Sequence, residues 1–193
     1  MIRIATEADV PAMLALYAPY VLNTTITFEY DVPCRKEFMQ RLYTITENFP
    51  WLVWEEDGKI LGYAYASRPF PRAAYSWCAE PSIYLCPEAR GRGIGRKLYT
   101  ALEEILKIQG FQVLYAIITQ ENTGSVAFHE KLGYRFLAVF DRCGFKFGRW
   151  LGVTWMEKRL ISVEIPNSFP TPFSQLRQDR QRISDILFNL SLS

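Results

Sequence analysis

A single histidine, His129, stands in the 193 residues, and the four cysteines (Cys34, Cys78, Cys86, Cys143) form no Cys-x-x-Cys pair. Zinc sites are built from such pairs and from clustered histidines, so the spacing of a zinc site is missing and no metal is expected. An excess of one charge is also missing: 22 basic against 20 acidic residues leave a formal net charge of +2. That balance excludes a broad electrostatic attraction to nucleic acid or to a membrane surface. No apolar run is long enough for a membrane span. Met1-Ile2-Arg3-Ile4 opens directly into a strand-like segment, without the apolar core of a signal peptide. A reduced, cytoplasmic protein is the expectation. Apolar side chains are plentiful, with 49% hydrophobic and 15% aromatic residues. The chain is therefore a folded globule, one domain or one domain with a tail.

Periodicity orders the elements. Ile2 to Ile4 reads as a strand, and Thr6-Glu7-Ala8-Asp9 as a helix start with acidic first-turn residues. Val10, Met13, Leu14, Tyr17 and Val21 mark one helical face, broken at Asn23-Thr24-Thr25. Phe38, Leu42 and Ile45 predict a second helix, ended near Asn48-Phe49-Pro50. Trp51 to Glu55 and Lys59 to Ser67 flank Asp57-Gly58, a hairpin signal. Tyr75 to Cys86 is a strand, Leu98 to Leu106 a helix stopped by Gly110, Phe111 to Thr119 a strand, and Gly124 to Leu132 a helix stopped by Gly133. Tyr134 to Arg142 and Val153 to Leu160 are the last strands, with Gly144 to Gly152 expected as the connection. The order is β-α-α-β-β-β-α-β-α-β-β. Beyond Leu160, Pro166, Pro170 and Pro172 predict a linker without regular structure. Ile183, Ile186, Leu187 and Leu190 then fit a short amphipathic helix. Docking on its own domain or on a symmetry mate is expected of that helix; a partner-binding tail is the alternative.

The chemistry centres on Arg90-Gly91-Arg92-Gly93-Ile94-Gly95, between a strand that Pro87 stops and a helix that begins with Arg96-Lys97. Glycines so closely spaced let the backbone turn tightly and aim several N–H groups at one point, where the helix N-terminus adds partial positive charge. Strand, glycine turn and helix in this order suit a phosphate or pyrophosphate. A dinucleotide fingerprint is excluded by spacing, and a Walker loop by the missing Gly-Lys-Ser/Thr. Three cations, Arg90, Arg92 and Arg96, would repel one another and the helix dipole unless an anion lay among them. The preceding strand carries Cys78, Glu80, Ser82 and Tyr84 on one face, and Trp77, Ala79, Ile83 and Leu85 on the other. Glu80 is a carboxylate in an otherwise apolar strand, where desolvation would raise its pKa toward that of a useful base. A structural ion pair is the alternative for it. Pro81 lacks an N–H, which places it at an edge or where strands separate.

This loop, followed by its basic helix start, resembles the pyrophosphate loop of the GCN5-related N-acetyltransferases (GNAT), and the order of elements is theirs too. The resemblance implies an α/β (α+β) GNAT fold over 1–160: a central mixed, mostly antiparallel sheet with splayed parallel strands. Residues 161–193 would be the linker and tail helix. It also implies acetyl-CoA as co-substrate and a homodimer. Asn23 to Glu29, Arg68 to Glu80, and Phe145-Lys146-Phe147-Gly148-Arg149-Trp150 are similar to the phosphinothricin and methionine sulfoximine N-acetyltransferase branch, whose acceptors are small amino-acid analogues.

Carried over residue by residue, the resemblance assigns Glu80 as general base, directly or through water. The backbone of Ile83, Tyr84 and Leu85 would pair with the pantetheine arm, with the Leu85 N–H polarising the thioester. Arg90, Gly91, Arg92, Gly93, Ile94, Gly95 and Arg96 would hold the pyrophosphate, with Asn122 and Ser125 as further contacts. Phe28, Arg68, Pro69, Phe70, Arg72, Tyr75, Glu80, Pro81 and Ser82 would surround the acceptor, although Arg68 and Arg72 also read as exposed loop charges and Phe28 as core. His129 stands where many relatives have a tyrosine that protonates the thiolate. It would donate to sulfur, contact CoA, or serve the core. Transfer to another amine (a polyamine, an aminoglycoside, a protein N-terminus) and a non-catalytic acyl-CoA-binding module are the alternatives.

Overall fold

In a computed structural model describing residues 1–161 and 165–192, the elements follow the expected order. They are β1 (Ile2–Ile4), α1 (Val10–Asn23), α2 (Arg35–Asn48), β2 (Trp51–Glu56), β3 (Lys59–Ser67) and β4 (Cys78–Leu85). Then come α3 (Ile94–Gln109), β5 (Val113–Thr119), α4 (Thr123–Lys131), β6 (Arg135–Lys146), β7 (Arg149–Arg159), α5 (Phe173–Leu176) and α6 (Arg180–Leu192). One sheet runs β1-β2-β3-β4-β5-β7-β6, antiparallel throughout except for β4 and β5.

The parallel pair matters most. β4 and β5 meet only at Cys78↔Val113 and Ala79↔Leu114, then separate. Pro81, two residues further on, sits where no strand pairs with it on that side. On one face of the sheet α3 lays down Leu98, Leu102, Ile105 and Leu106, all fully buried, an apolar stripe at helical spacing. On the other face α1 and α2 cover an aromatic layer of Tyr17, Phe38, Trp51 and Tyr63.

Three expectations need correction. The strand begins at Cys78 and not Tyr75, because Ala73–Tyr75 forms a turn of 3-10 helix. Gly144 to Gly152 is no loose connection. β6 and β7 run through it as one hairpin, closed by Phe147 (φ 52°) and Gly148 (φ 75°), the paired left-handed residues of a tight turn. The linker is not wholly irregular either: Pro172 starts α5, and Phe173 is 0% exposed in the same core as α3. Helix α6 packs on α3 and β1, with Ile183 and Leu187 buried, so the tail docks on its own domain. The side chain of Leu190, the last residue of that predicted stripe, lies outside the described residues.

Candidate active site

Parity along β4 decides what faces the gap. The Cys86 N–H donates to Leu61 O of β3 at 2.9 Å, so by alternation the even-numbered β4 residues pair with β3. The N–H groups of Ile83 and Leu85, and the imide nitrogen of Pro81, then turn toward β5. Proline therefore forfeits no sheet hydrogen bond here. Side chains alternate as expected: Tyr84 packs against Tyr17, Tyr20 and Tyr63 under α1, while Ile83 and Leu85 pack against the α3 core.

Between the separated strands lies a narrow cleft of about 80 Å³. Glu80, Pro81, Ser82, Ile83 and Tyr84 line it from β4, and Asn122, Ser125 and His129 from the α4 region. Tyr99 of α3, Ile26 and residues 116–119 of β5 complete it. Residues far apart in sequence that were assigned to base, pantetheine contact and acid thus share one cleft. Glu80 is half-buried there, and burial raises its pKa above the ordinary carboxylate value.

His129 is 2% exposed, and both ring nitrogens are occupied. Nδ1 lies 2.7 Å from the Ser125 carbonyl, which can only accept, so Nδ1 carries the proton. Nε2 then accepts from Tyr99 Oη at 2.9 Å. Burial lowers the histidine pKa and keeps the ring neutral. This is not the geometry of a free acid aimed at sulfur; the hydroxyl presented to the cleft is that of Tyr99. Asn122 caps α4 through its Oδ1, which accepts from the Ser125 N–H at 3.2 Å, leaving its side-chain NH₂ as a donor.

The glycines of the loop differ in purpose. Gly91 (φ 73°) and Gly93 (φ 79°) hold left-handed conformations, and a Cβ on either would meet nothing within 4 Å. Gly93 is the N-cap of α3, so the first amides of that helix open onto clear space. At Gly95 a Cβ would press on Leu85, Phe128 and Ile83 at 3.3–3.5 Å, so this glycine lets the helix approach β4. The arginines correct the repulsion argument. Arg92 pairs with Glu56 at 2.8 Å, and Arg90 donates to Tyr20 Oη at 3.1 Å, so both have partners within the protein. Arg96 is exposed.

Tyr20 also receives the Leu85 N–H at 3.3 Å and donates back to Leu85 O. The amide expected to polarise a thioester is thus engaged, and the gap-facing amide beside Glu80 is that of Ile83.

The acceptor residues are the most dispersed. Phe28, Arg68, Pro69, Phe70, Arg72 and Tyr75 do not line the cleft. Phe70 stacks parallel to Trp155 and contacts Tyr75 and Tyr115. Arg68 borders a separate hollow with Ser76 and residues 169–172, and Arg72 and Tyr75 are exposed. Phe28 lies flat on Gly144, and Ile26 of the same loop reaches the cleft instead. Tyr99 and Tyr20 escaped sequence reasoning, because aromatic residues beside a helical apolar stripe read as core; Ile26 escaped it because an aliphatic residue in a loop carries no periodic signal.

Comparison with known proteins decides the family. Residues 2–155 match the acetyltransferase (GNAT) domain. The chain belongs to the GNAT acetyltransferases. It is similar to a phosphinothricin N-acetyltransferase of Alcaligenes faecalis, 37% identical over 163 residues and covering 82% of each chain. An L-methionine sulfoximine/L-methionine sulfone acetyltransferase of Pseudomonas aeruginosa is 34% identical, covering 82% of this chain and 94% of that one. Among solved structures, a GNAT superfamily phosphinothricin acetyltransferase from Sinorhizobium meliloti in complex with AcCoA has a TM-score of 0.81 at 38% identity. That match covers 89% of this chain and 92% of that one. As a GNAT enzyme the protein is an acetyl-CoA-dependent acetyltransferase. Its residues fit that co-substrate: the space over Gly91 and Gly93 is open to a pyrophosphate, and the gap-facing backbone of β4 suits an extended amide chain.

Proposed function

We propose that this enzyme acetylates the amino group of a small amino-acid-like substrate of the phosphinothricin, methionine sulfoximine or methionine sulfone type, by direct attack in a ternary complex. The observation that carries this reading is Glu80, a carboxylate with a raised pKa at the point where β4 and β5 part. The names of the similar proteins supply the acceptor class.

Acetyl-CoA supplies an activated acetyl thioester: the amine nitrogen bonds the acetyl carbon, the C–S bond breaks, and CoA leaves as a thiolate whose charge is balanced by the second proton the amine releases. Glu80 takes the proton of the acceptor ammonium, directly or through one water, an effect of roughly 10²–10⁴-fold in such sites. The Ile83 N–H is the donor placed for a carbonyl oxygen in the gap. Gly91, Gly93, Ile94, Gly95 and the start of α3 hold the pyrophosphate, with Arg90, Arg92 and Arg96 around it and Asn122 and Ser125 along the arm. His129 acts through Tyr99, accepting a hydrogen bond from its hydroxyl and so fixing it at the cleft wall. Ile26 forms the roof over the acceptor, with Phe28 behind it against Gly144. Arg68 and Arg72, with Pro69, Phe70 and Tyr75 beside them, offer arginine forks that match a carboxylate or phosphinate.

A free-thiol release assay over an acceptor panel tests the reading. Turnover with phosphinothricin, methionine sulfoximine or methionine sulfone is expected. Activity confined to polyamines, aminoglycosides or peptides would sink the acceptor class, and CoA binding without turnover would leave an acyl-CoA-binding module.

The proposal includes a cytoplasmic location, where the four free cysteines stay reduced. It also includes a homodimer, supported by the edge strand β6 and its hairpin, which expose Phe136, Val139, Phe140, Phe145 and Trp150. Sedimentation velocity giving a monomer at micromolar concentration would refute the dimer.

A further inference from the structure

Lys146, in the Phe145-to-Trp150 segment, is 2% exposed at the end of β6. Its ammonium donates to three backbone carbonyls: Val21 O at 2.8 Å, Thr24 O at 2.9 Å and Thr27 O at 2.7 Å. An ammonium has three N–H donors and no acceptor, so this group is fully satisfied. Val21 lies in the last turn of α1 and Thr24 is its C-cap, where a cation complements the helix dipole. Thr27 belongs to the loop that carries Ile26 into the cleft. The Phe147 ring covers the ammonium at 5.0 Å.

The same strand holds this loop in two further ways. A Cβ at Gly144 would fall 2.2 Å from the Phe28 ring, so the ring rests on bare backbone. Tyr30 Oη donates to Phe145 O. Burial of the ammonium is unfavourable, since desolvation lowers its pKa and the charge of Glu29 offsets this in part. A lysine kept in such a place without a carboxylate at hydrogen-bond distance acts on the backbone around it.

We propose that Lys146 is a positioning residue for acceptor specificity: its ammonium, together with Gly144 beneath the Phe28 ring, sets the 24–30 loop so that Ile26 roofs the cleft. The inference rests on the reading of that cleft as an acceptor site. Nothing in the acetyl-CoA half of the site touches Lys146, so the two half-sites should respond differently.

Lys146→Met keeps the apolar stem and removes all three donors. Gly144→Ala moves the Phe28 ring and leaves the carbonyls bonded, so it decides the matter if Lys146→Met does not fold. In both variants the acceptor KM should rise about ten- to a hundredfold, with acetyl-CoA affinity by calorimetry unchanged within about twofold. Hydrogen exchange should speed up at amides 24–30 and stay unchanged in β4 and α3. Unchanged exchange at 24–30, or equal losses for acceptor and acetyl-CoA, would overturn the proposal. A wild-type enzyme inactive on every amino-acid analogue would sink the acceptor reading instead, while the exchange measurement would still decide whether Lys146 sets the loop.

Discussion

Phe173→Ala examines whether the segment beyond Leu160 is a tail or part of the core. Phe173 is 0% exposed and shares a cluster with Leu98, Leu102 and Ile105 of α3. Truncating a buried phenylalanine removes its transfer free energy and leaves a cavity, together costing about 3–5 kcal/mol. For a domain of this size each kcal/mol lowers the melting temperature by roughly 2–4 °C, so a fall of roughly 6–20 °C is expected. Phe188→Ala is the control, on the next helix but 63% exposed, and should change stability by less than about 0.5 kcal/mol. Calorimetry or circular dichroism melts of the full chain, with urea titrations at unchanged m-value, would measure both. Equal shifts for the two variants would refute the packing argument, since burial is what distinguishes them.

Glu80→Gln should lower kcat/KM by roughly 10²–10⁴-fold and abolish an acidic limb in its pH profile. Because burial raises the Glu80 pKa, the folded state holds that proton more tightly than the unfolded chain, and stability falls as pH rises through the raised value. Glu80→Gln should therefore melt at a higher temperature than wild type at pH 8; a lower one would contradict the assignment. Gly93→Asp, at φ 79°, puts a carboxylate where the pyrophosphate belongs and should weaken acetyl-CoA binding at least about tenfold by calorimetry. Tyr99→Phe leaves His129 Nε2 buried without a donor, at a cost of about 1–3 kcal/mol in urea titrations. With its pKa lowered, His129 must take up a proton against burial once the pH falls below its ordinary 6.5, so stability should decline there and be flatter in His129→Gln.

The order of elements, the glycine loop and Glu80 on a strand leading into it were all legible in the sequence. They depend on local periodicities and on backbone conformations that glycine and proline control. The chain itself dictates Pro81 at a pairing gap, because a missing N–H is a covalent fact. Gly144 and Gly152 misled, since glycine reads as loop. Here each stands within a strand where another side chain lies on the backbone: Phe28 on Gly144, and Gln120 2.0 Å from where a Gly152 Cβ would be. Close approach between distant segments has no periodic signature. The same reason hid Tyr99, Tyr20 and the three carbonyls around Lys146, which are defined by partners 30 to 125 positions away. Sequence alone determined that a glycine turn of the kind suited to an anion follows a strand bearing a carboxylate. Only the tertiary structure decided that the two strands part beside it, that both nitrogens of His129 are engaged, and that a lysine on the last hairpin bonds the carbonyls of Val21, Thr24 and Thr27. These depend on where side chains meet across the fold, and no local pattern encodes that.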